Sequence, residues 1–104
     1  MQLELSRQFD LAVTSYQNGS TSDILSFSKS NMIENSDNIY TSLANLYSAK
    51  IMYLENQLDQ SYLFLDHIIS HSDDSEIGNI AKYSKAKILI EELKYEQAHT
   101  LLGD

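Results

Sequence analysis

The chain has 104 residues, the size of a single domain, and contains no proline and only three glycines. Its formal net charge of −8 argues against nucleic acid or an anionic membrane as the main partner, because both attract basic surfaces. The absence of cysteine excludes disulfides and thiol catalysis, and no apolar run approaches the roughly 20 residues that span a bilayer.

The first third of the chain predicts a helical hairpin. Apolar residues recur at three- and four-residue spacing from Leu3 to Tyr16, which is typical of an amphipathic helix. Asn18-Gly19 then indicates a turn, and a second apolar stripe follows it. These patterns predict helices near residues 3–17 and 21–32.

The rest of the chain predicts two further hairpins. Apolar spacing continues, with an interruption at Asn56-Gln57 and a polar segment before residue 75. Asp73, followed three residues later by Glu76, resembles a capping arrangement for the fifth helix. The prediction is an all-α domain of about six helices, the last four near residues 37–55, 58–70, 75–92 and 95–102.

The sequence also repeats itself. Ala49-Lys50-Ile51 recurs as Ala86-Lys87-Ile88, a shift of 37 residues, and Ala12 falls on Ala49 at the same shift. A fixed period of roughly 20 to 50 residues indicates stacked supersecondary units. We therefore expect one domain, 1–104, of tandem antiparallel hairpins in a right-handed array, with copies near residues 3–32, 37–70 and 75–102.

Small residues mark the expected helix crossings. Ala12, Ala49 and Ala86 share one position in the first helix of each copy, and Ser61 and Ala98 share one in the second helix. A small side chain at a crossing lets helix axes approach to about 8–10 Å. Any helical hairpin can use alanine in this way, but recurrence of a whole string at one shift indicates a repeat.

These small residues, with a turn and a leucine or aromatic residue opening the second helix, resemble the tetratricopeptide repeat. The usual glycine of the first helix is alanine here, no proline closes the repeat, and the period exceeds the usual value of about 34. From Tyr40 to Leu102 the chain is more similar to the tetratricopeptide-like domain of the ancillary subunits of the bacterial Sec translocon. The similarity lies in Tyr40-Thr41-Ser42-Leu43-Ala44, Ala49-Lys50, Glu55, Leu58-Asp59-Gln60-Ser61 and the second copy from Ala86 to Ala98, with Ser61 in place of alanine.

The resemblance implies a non-catalytic scaffold for protein contacts near the translocation channel. In that family the domain lies on the periplasmic side of the bacterial inner membrane, on an N-terminal anchor helix. This chain has neither that anchor nor a capping helix after Leu102-Gly103-Asp104, so we expect a fragment of a longer chain. Its uncapped repeat ends could support self-association. The implied partners are other proteins or peptide segments, such as translocon or chaperone components. No cofactor, no nucleic-acid partner and no insertion of this segment into the membrane are expected. The alternative is a soluble cytosolic adaptor.

One pair of histidines suggests a metal site. His67 and His71 are four residues apart, so on a helix they share a face, and Asp73 or Asp74 could supply oxygen to the same ion. The glutamate of a zinc-protease motif is replaced by Ile68. We prefer the interpretation that both histidines complement the dipole at a helix C-terminus. No serine elbow or phosphate-binding glycine loop occurs, so no enzymatic activity and no cofactor are expected.

The inner face formed by the first helix of each copy is the predicted partner-binding groove. Aromatic and aliphatic residues would line it, with one lysine at the same position in each of the last two copies. Such a groove suits an extended or helical segment of another protein. The same spacing also suits a core between helices with the lysines as ordinary surface charge. The predicted groove residues are Phe9, Val13, Tyr16, Leu46, Lys50, Tyr53, Tyr83, Lys87 and Ile90.

Overall fold

The computed structural model describes residues 2–103, with side chains from residue 4 onward. Six helices account for nearly all of this range: α1 Gln2–Gln17, α2 Ser22–Asn31, α3 Ile39–Leu54, α4 Leu58–His71, α5 Ser75–Glu91 and α6 Tyr95–Gly103. The predicted all-α array is confirmed, and every helix end lies within two residues of the one expected. Between residues 2 and 103, no helix combines the length and apolar character needed to cross a membrane.

The helices form three antiparallel hairpins that stack side by side. Each helix packs against the next one in the chain, and the first helices of successive hairpins, α1, α3 and α5, also touch in order. The result is elongated, with principal extents of 41 × 28 × 19 Å. Within residues 2–103, the middle hairpin therefore has a neighbour on both sides, and the first and last hairpins each have one.

The backbone repeats at the same period as the sequence. Gly19, Asn56 and Leu93, which are 37 residues apart, all adopt left-handed conformations, with φ of 97°, 60° and 64°. In each case the following amide donates a hydrogen bond to the carbonyl five residues before it, at 2.7 to 2.9 Å, which is the Schellman pattern of a helix end. Glycine adopts this conformation freely and asparagine tolerates it, whereas a leucine there is strained.

The cap of α5 differs from the expectation by one residue. Asp74, not Asp73, precedes the first helical residue, and its carboxylate accepts a hydrogen bond from the amide of Ile77 at 3.0 Å. The backbone of Asp74 is extended, with φ −91° and ψ 114°, so that its side chain folds back over the first turn. Asp73 and Asp74 have the same side chain, so the position of the first helical residue, Ser75, decides which of them caps α5.

The small residues lie at the buried crossings. Ala12, Ala49, Ala86 and Ala98 are each at most 4% exposed, and Ser61 is fully buried. The Ser61 hydroxyl donates a hydrogen bond of 2.8 Å to the carbonyl of Ala49 on the facing helix. The one serine among these positions therefore satisfies its polar atom across the crossing instead of leaving it unpaired in the core.

The core becomes smaller from the first hairpins to the last. The first cluster centres on Phe9, Phe27 and Ile24, and the second centres on Phe64, Leu65 and Ile68. The third cluster of buried residues contains only Ala86, Leu89 and Ala98. Because apolar area removed from water is the main source of stability, the third hairpin has the weakest core of its own.

Candidate functional site

A groove of about 340 Å³ lies between α3 and α5, with α4 beneath it. The helices cross at small residues, so the two walls come close without filling the space between them. The groove is lined by Leu46, Ala49, Lys50, Tyr53 and Leu54 of α3, Ser61 and Leu65 of α4, and Ile80, Ser84, Lys87 and Ile88 of α5.

Two lysines give this mostly apolar groove its charge. Lys50 and Lys87 are exposed, and no carboxylate among residues 4–103 lies within 4.0 Å of either ammonium group. Lys85, in contrast, is held by Asp66 at 2.6 Å. The groove therefore presents free positive charge in a chain of net charge −8.

A hydrogen bond joins the two walls of the groove. The Tyr53 hydroxyl on α3 donates to Oε1 of Glu91 on α5 at 2.6 Å. This bond to a carboxylate, followed by desolvation and by the negative charge of Glu91, raises the pKa of Tyr53 above its ordinary value. The bond ties successive hairpins together, which fixes the width of the groove at this point.

The structure separates the nine predicted groove residues into three equivalent triads. The first triad, Phe9, Val13 and Tyr16, packs against α3 within the first core cluster. The ring of Phe9 lies 5.5 Å from that of Tyr40, and the ring of Tyr16 lies 5.2 Å from that of Tyr47. Aromatic packing fills the space between α1 and α3, so these three residues lie outside the groove.

The second and third triads are open to different degrees. Leu46, Lys50 and Tyr53 all line the groove and face α5. Of the third triad, only Lys87 lines it, whereas Tyr83 is 65% exposed and Ile90 is 46% exposed. The structure brings four predicted residues together at one site, and their role in binding remains a prediction.

The far wall of the groove was missed by the sequence reasoning. Ile80, Ser84 and Ile88 follow four-residue spacing along α5 and face the second triad. Their signal is in the sequence, because residues at this spacing share one helix face. The predicted groove residues all lie on the same face of their helices. The opposite wall of the groove is formed by a different face of the next first helix, so the prediction does not include it.

Comparison with known proteins gives the family. The sequence matches the tetratricopeptide repeat-like domain over residues 2–104. The chain belongs to this family. It is also 32% identical over 74 residues to the ancillary SecYEG translocon subunit of Buchnera aphidicola subsp. Schizaphis graminum (strain Sg). That match covers 71% of this chain and 38% of the relative, so the tetratricopeptide repeat-like domain spans well under half of the relative's length. No solved structure matches it.

Two of the three histidines of this tetratricopeptide repeat-like domain, His67 and His71, make internal contacts. His67 Nε2 lies 2.7 Å from the carbonyl of Met32, and its Nδ1 lies 3.1 Å from the amide nitrogen of Asn45. Since a carbonyl only accepts, Nε2 donates to Met32 and Nδ1 accepts from Asn45. His71, in the last turn of α4, stacks on His67 at 4.4 Å. Both ring nitrogens of His67 are thus engaged in joining α4 to α3 and to the end of α2.

No group of three or more His, Asp or Glu side chains suited to a metal ion occurs within the described part of the domain. The alternative considered from the sequence, an ion shared by His67 and His71 with Asp73 or Asp74, is therefore not assembled among these residues. His67 instead forms hydrogen bonds with Asn45 and Met32, which lie 22 and 35 residues earlier in the chain. Helical spacing alone does not predict such contacts.

Proposed function

We propose that this domain is a non-catalytic scaffold that binds segments of other proteins in the groove between α3 and α5. The observation that carries the proposal is an apolar concave surface with two lysines on its walls, neither of which has a carboxylate within 4.0 Å in the part of the chain that the structure describes. Membership of a family of stacked helical hairpins supports it, because such arrays present extended surfaces to their partners.

The chemistry of the groove favours a segment with apolar and acidic residues. Leu46, Ile80 and Ile88 offer apolar contact, and a partner side chain entering the groove would leave water. A carboxylate next to that side chain would meet Lys50 or Lys87, whose positive charge stands out in a chain of net charge −8. Either an extended segment or one face of a helix satisfies this pattern.

We further propose that the domain acts beside a membrane translocation channel, on the periplasmic side of the bacterial inner membrane. The similarity to an ancillary translocon subunit supports this proposal. A soluble cytosolic adaptor is the alternative. Fractionation of the full-length gene product, with a topology reporter fused after residue 104, separates the two. Reporter activity on the periplasmic side with the product in the membrane fraction is expected, and a soluble cytosolic product would contradict the membrane proposal.

Binding in the groove is tested by charge reversal against a matched control. A photo-crosslinking residue at position 50 in cells identifies a partner, whose affinity and rates are then measured with the purified domain. The double variant Lys50→Glu and Lys87→Glu should slow association, because exposed interfacial charges act mainly on encounter. Lys29→Glu with Lys94→Glu makes the same change in net charge at two exposed lysines outside the groove.

Tyr53→Ala separates packing from charge. This change removes an apolar contact and the bond to Glu91, so we expect faster dissociation with little change in association. Equal effects of the groove and control lysine pairs would show that only net charge matters. Unchanged binding in both groove variants would place the interface elsewhere on the domain.

A further inference from the structure

Tyr53 lies at the boundary between two recesses of opposite charge. One is the groove, with Lys50 and Lys87 on its walls. The other, which we call the acidic recess, has a volume of about 370 Å³ and carries Glu91 and Glu92 of α5. Tyr53 lines both of them, so its side chain stands where the positive and negative surfaces meet.

The carboxylate best placed to neutralise the groove does not do so. Lys87 and Glu91 are four residues apart on α5, a spacing at which side chains of opposite charge meet on one helix face. Among the described residues, however, no carboxylate lies within 4.0 Å of the Lys87 ammonium group. Glu91 instead accepts the hydrogen bond of the Tyr53 hydroxyl at 2.6 Å, so this carboxylate is held in the acidic recess.

The first copy of the repeat lacks this arrangement. Its equivalent tyrosine, Tyr16, packs edge-on against Tyr47, with ring centroids 5.2 Å apart. At a shift of 37 residues, Tyr47 becomes Ser84, and the leucine that ends α3 becomes Glu91. The small serine leaves the groove open beside Tyr53, and the glutamate gives the tyrosine hydroxyl an acceptor. Two differences between copies therefore produce the open groove and the restrained carboxylate together.

We infer that Tyr53 is a positioning residue of the groove, whose hydroxyl holds Glu91 away from Lys87 and so keeps that lysine free to meet an anionic group. The inference rests on the binding function proposed for the groove and adds to it a control of the charge that the groove presents. Exposed ion pairs at this helical spacing are weak, so the expected effect on Lys87 is about twofold.

The reactivity of each lysine in the free chain tests the inference without any ligand. Acetic anhydride labels uncharged amines, and a lysine paired with a carboxylate reacts more slowly because its charged form is favoured. Brief labelling of the 104-residue chain, followed by tandem mass spectrometry, gives a rate for each lysine. In Tyr53→Phe, which keeps the ring, Lys87 should react about twofold more slowly than in wild type. About 1 M NaCl should remove this difference, because the screening length falls to about 3 Å.

Rescue by a second substitution assigns the effect to Glu91. Adding Glu91→Gln to Tyr53→Phe should restore the wild-type rate of Lys87. Adding Glu92→Gln makes the same change in charge at the neighbouring residue and should not restore it. Glu91→Gln alone should leave the rate of Lys87 unchanged, because these two side chains are not paired in the wild-type structure.

Two further lysines calibrate the assay. Asp66→Asn frees Lys85 from its contact at 2.6 Å and should raise the rate of that lysine, which shows that the assay detects pairing. Lys29 on α2 should react at the same rate in every variant. Circular dichroism confirms that each variant is folded, so that a change in rate reports on the side chains and not on unfolding.

Any of four outcomes would overturn the inference. Unchanged reactivity of Lys87 in Tyr53→Phe would show that the freed Glu91 does not reach it. Slowing of Lys94, three residues after Glu91, in place of Lys87 would show that the carboxylate turns the other way. A faster Lys87 in Glu91→Gln alone would show that the pair already exists in wild type. Equal rescue by the two glutamine substitutions would leave no specific role for Glu91.

Failure of this inference is distinguishable from failure of the proposed function. The labelling rates are measured on the free chain and decide the role of Tyr53 whether or not a partner binds in the groove. The proposed function depends on a different result, the response of partner binding to Lys50→Glu with Lys87→Glu.

Discussion

Leu93 adopts a backbone conformation that leucine disfavours, and relieving it should stabilise the domain. Its φ of 64° lies in the left-handed region, where the equivalent residues of the earlier copies are Gly19 and Asn56. A side chain with a β-carbon costs about 1–2 kcal/mol there. A glycine at this position offsets about 0.5–1 kcal/mol of that gain in stability, because it makes the unfolded chain more flexible. Leu93 is 71% exposed, so little apolar burial is lost.

We therefore expect Leu93→Gly to raise the free energy of unfolding by about 0.5–1 kcal/mol, which corresponds to about 2–6 °C in Tm for a domain of this size. Leu93→Ala retains the β-carbon and serves as the matched control, with no gain expected. Leu93→Asn should lie between the two, because asparagine tolerates this region. Urea unfolding followed by circular dichroism measures all three. If alanine stabilised as much as glycine, loss of the exposed leucine and not relief of the backbone would be responsible, and the reasoning would be wrong.

Three further predictions concern packing and titration. Ala49→Leu should lower the free energy of unfolding by about 1–3 kcal/mol, because Ala49 is only 3% exposed and a larger side chain would overpack the crossing with α4. Ala49→Ser is the control, and a neutral Leu variant would contradict the assigned crossing. His67→Ala should cost about 1–3 kcal/mol, since it leaves the Asn45 amide and the Met32 carbonyl without this partner, whereas His71→Ala should cost less in the same urea titration. Tyr53→Phe should reduce the loss of stability at alkaline pH. Because folding raises the pKa of Tyr53, its bond to Glu91 contributes fully to the free energy of unfolding below about pH 10.0, the ordinary pKa of tyrosine, and this contribution is lost as the pH rises through the higher pKa of the folded state. The difference in free energy of unfolding between wild type and Tyr53→Phe should therefore shrink at high pH. A constant difference would contradict the Glu91 bond as its cause.

The helices and their order could be predicted because each of them repeats a local pattern. Apolar spacing locates α1 to α6, and the shift of 37 residues pairs them into hairpins. The strain at Leu93 was also accessible, since the repeat aligns it with Gly19 and Asn56. The choice between Asp73 and Asp74 as the cap was not accessible, because it depends on a single residue at the helix boundary.

Contacts between polar residues on different helices could not be predicted. The hydroxyl groups of Ser28 and Ser48 are 2.7 Å apart and buried between α2 and α3, although serines in a helix ordinarily indicate a solvated face. His67 finds Asn45 and Met32 in the same way. Such groups are tolerated in the core because each supplies the hydrogen bond that water no longer provides to the other. Which groups meet in this way depends on the tertiary packing and not on local spacing.

The shrinking core has a consequence for how the domain opens. In an array where each hairpin contacts only its neighbours, the hairpins behave as coupled units, and the unit with the weakest interior separates first. Here that unit is α5 and α6, whose buried cluster consists of Ala86, Leu89 and Ala98. Amide hydrogens of α6 should therefore exchange before those of α3, which packs against four other helices.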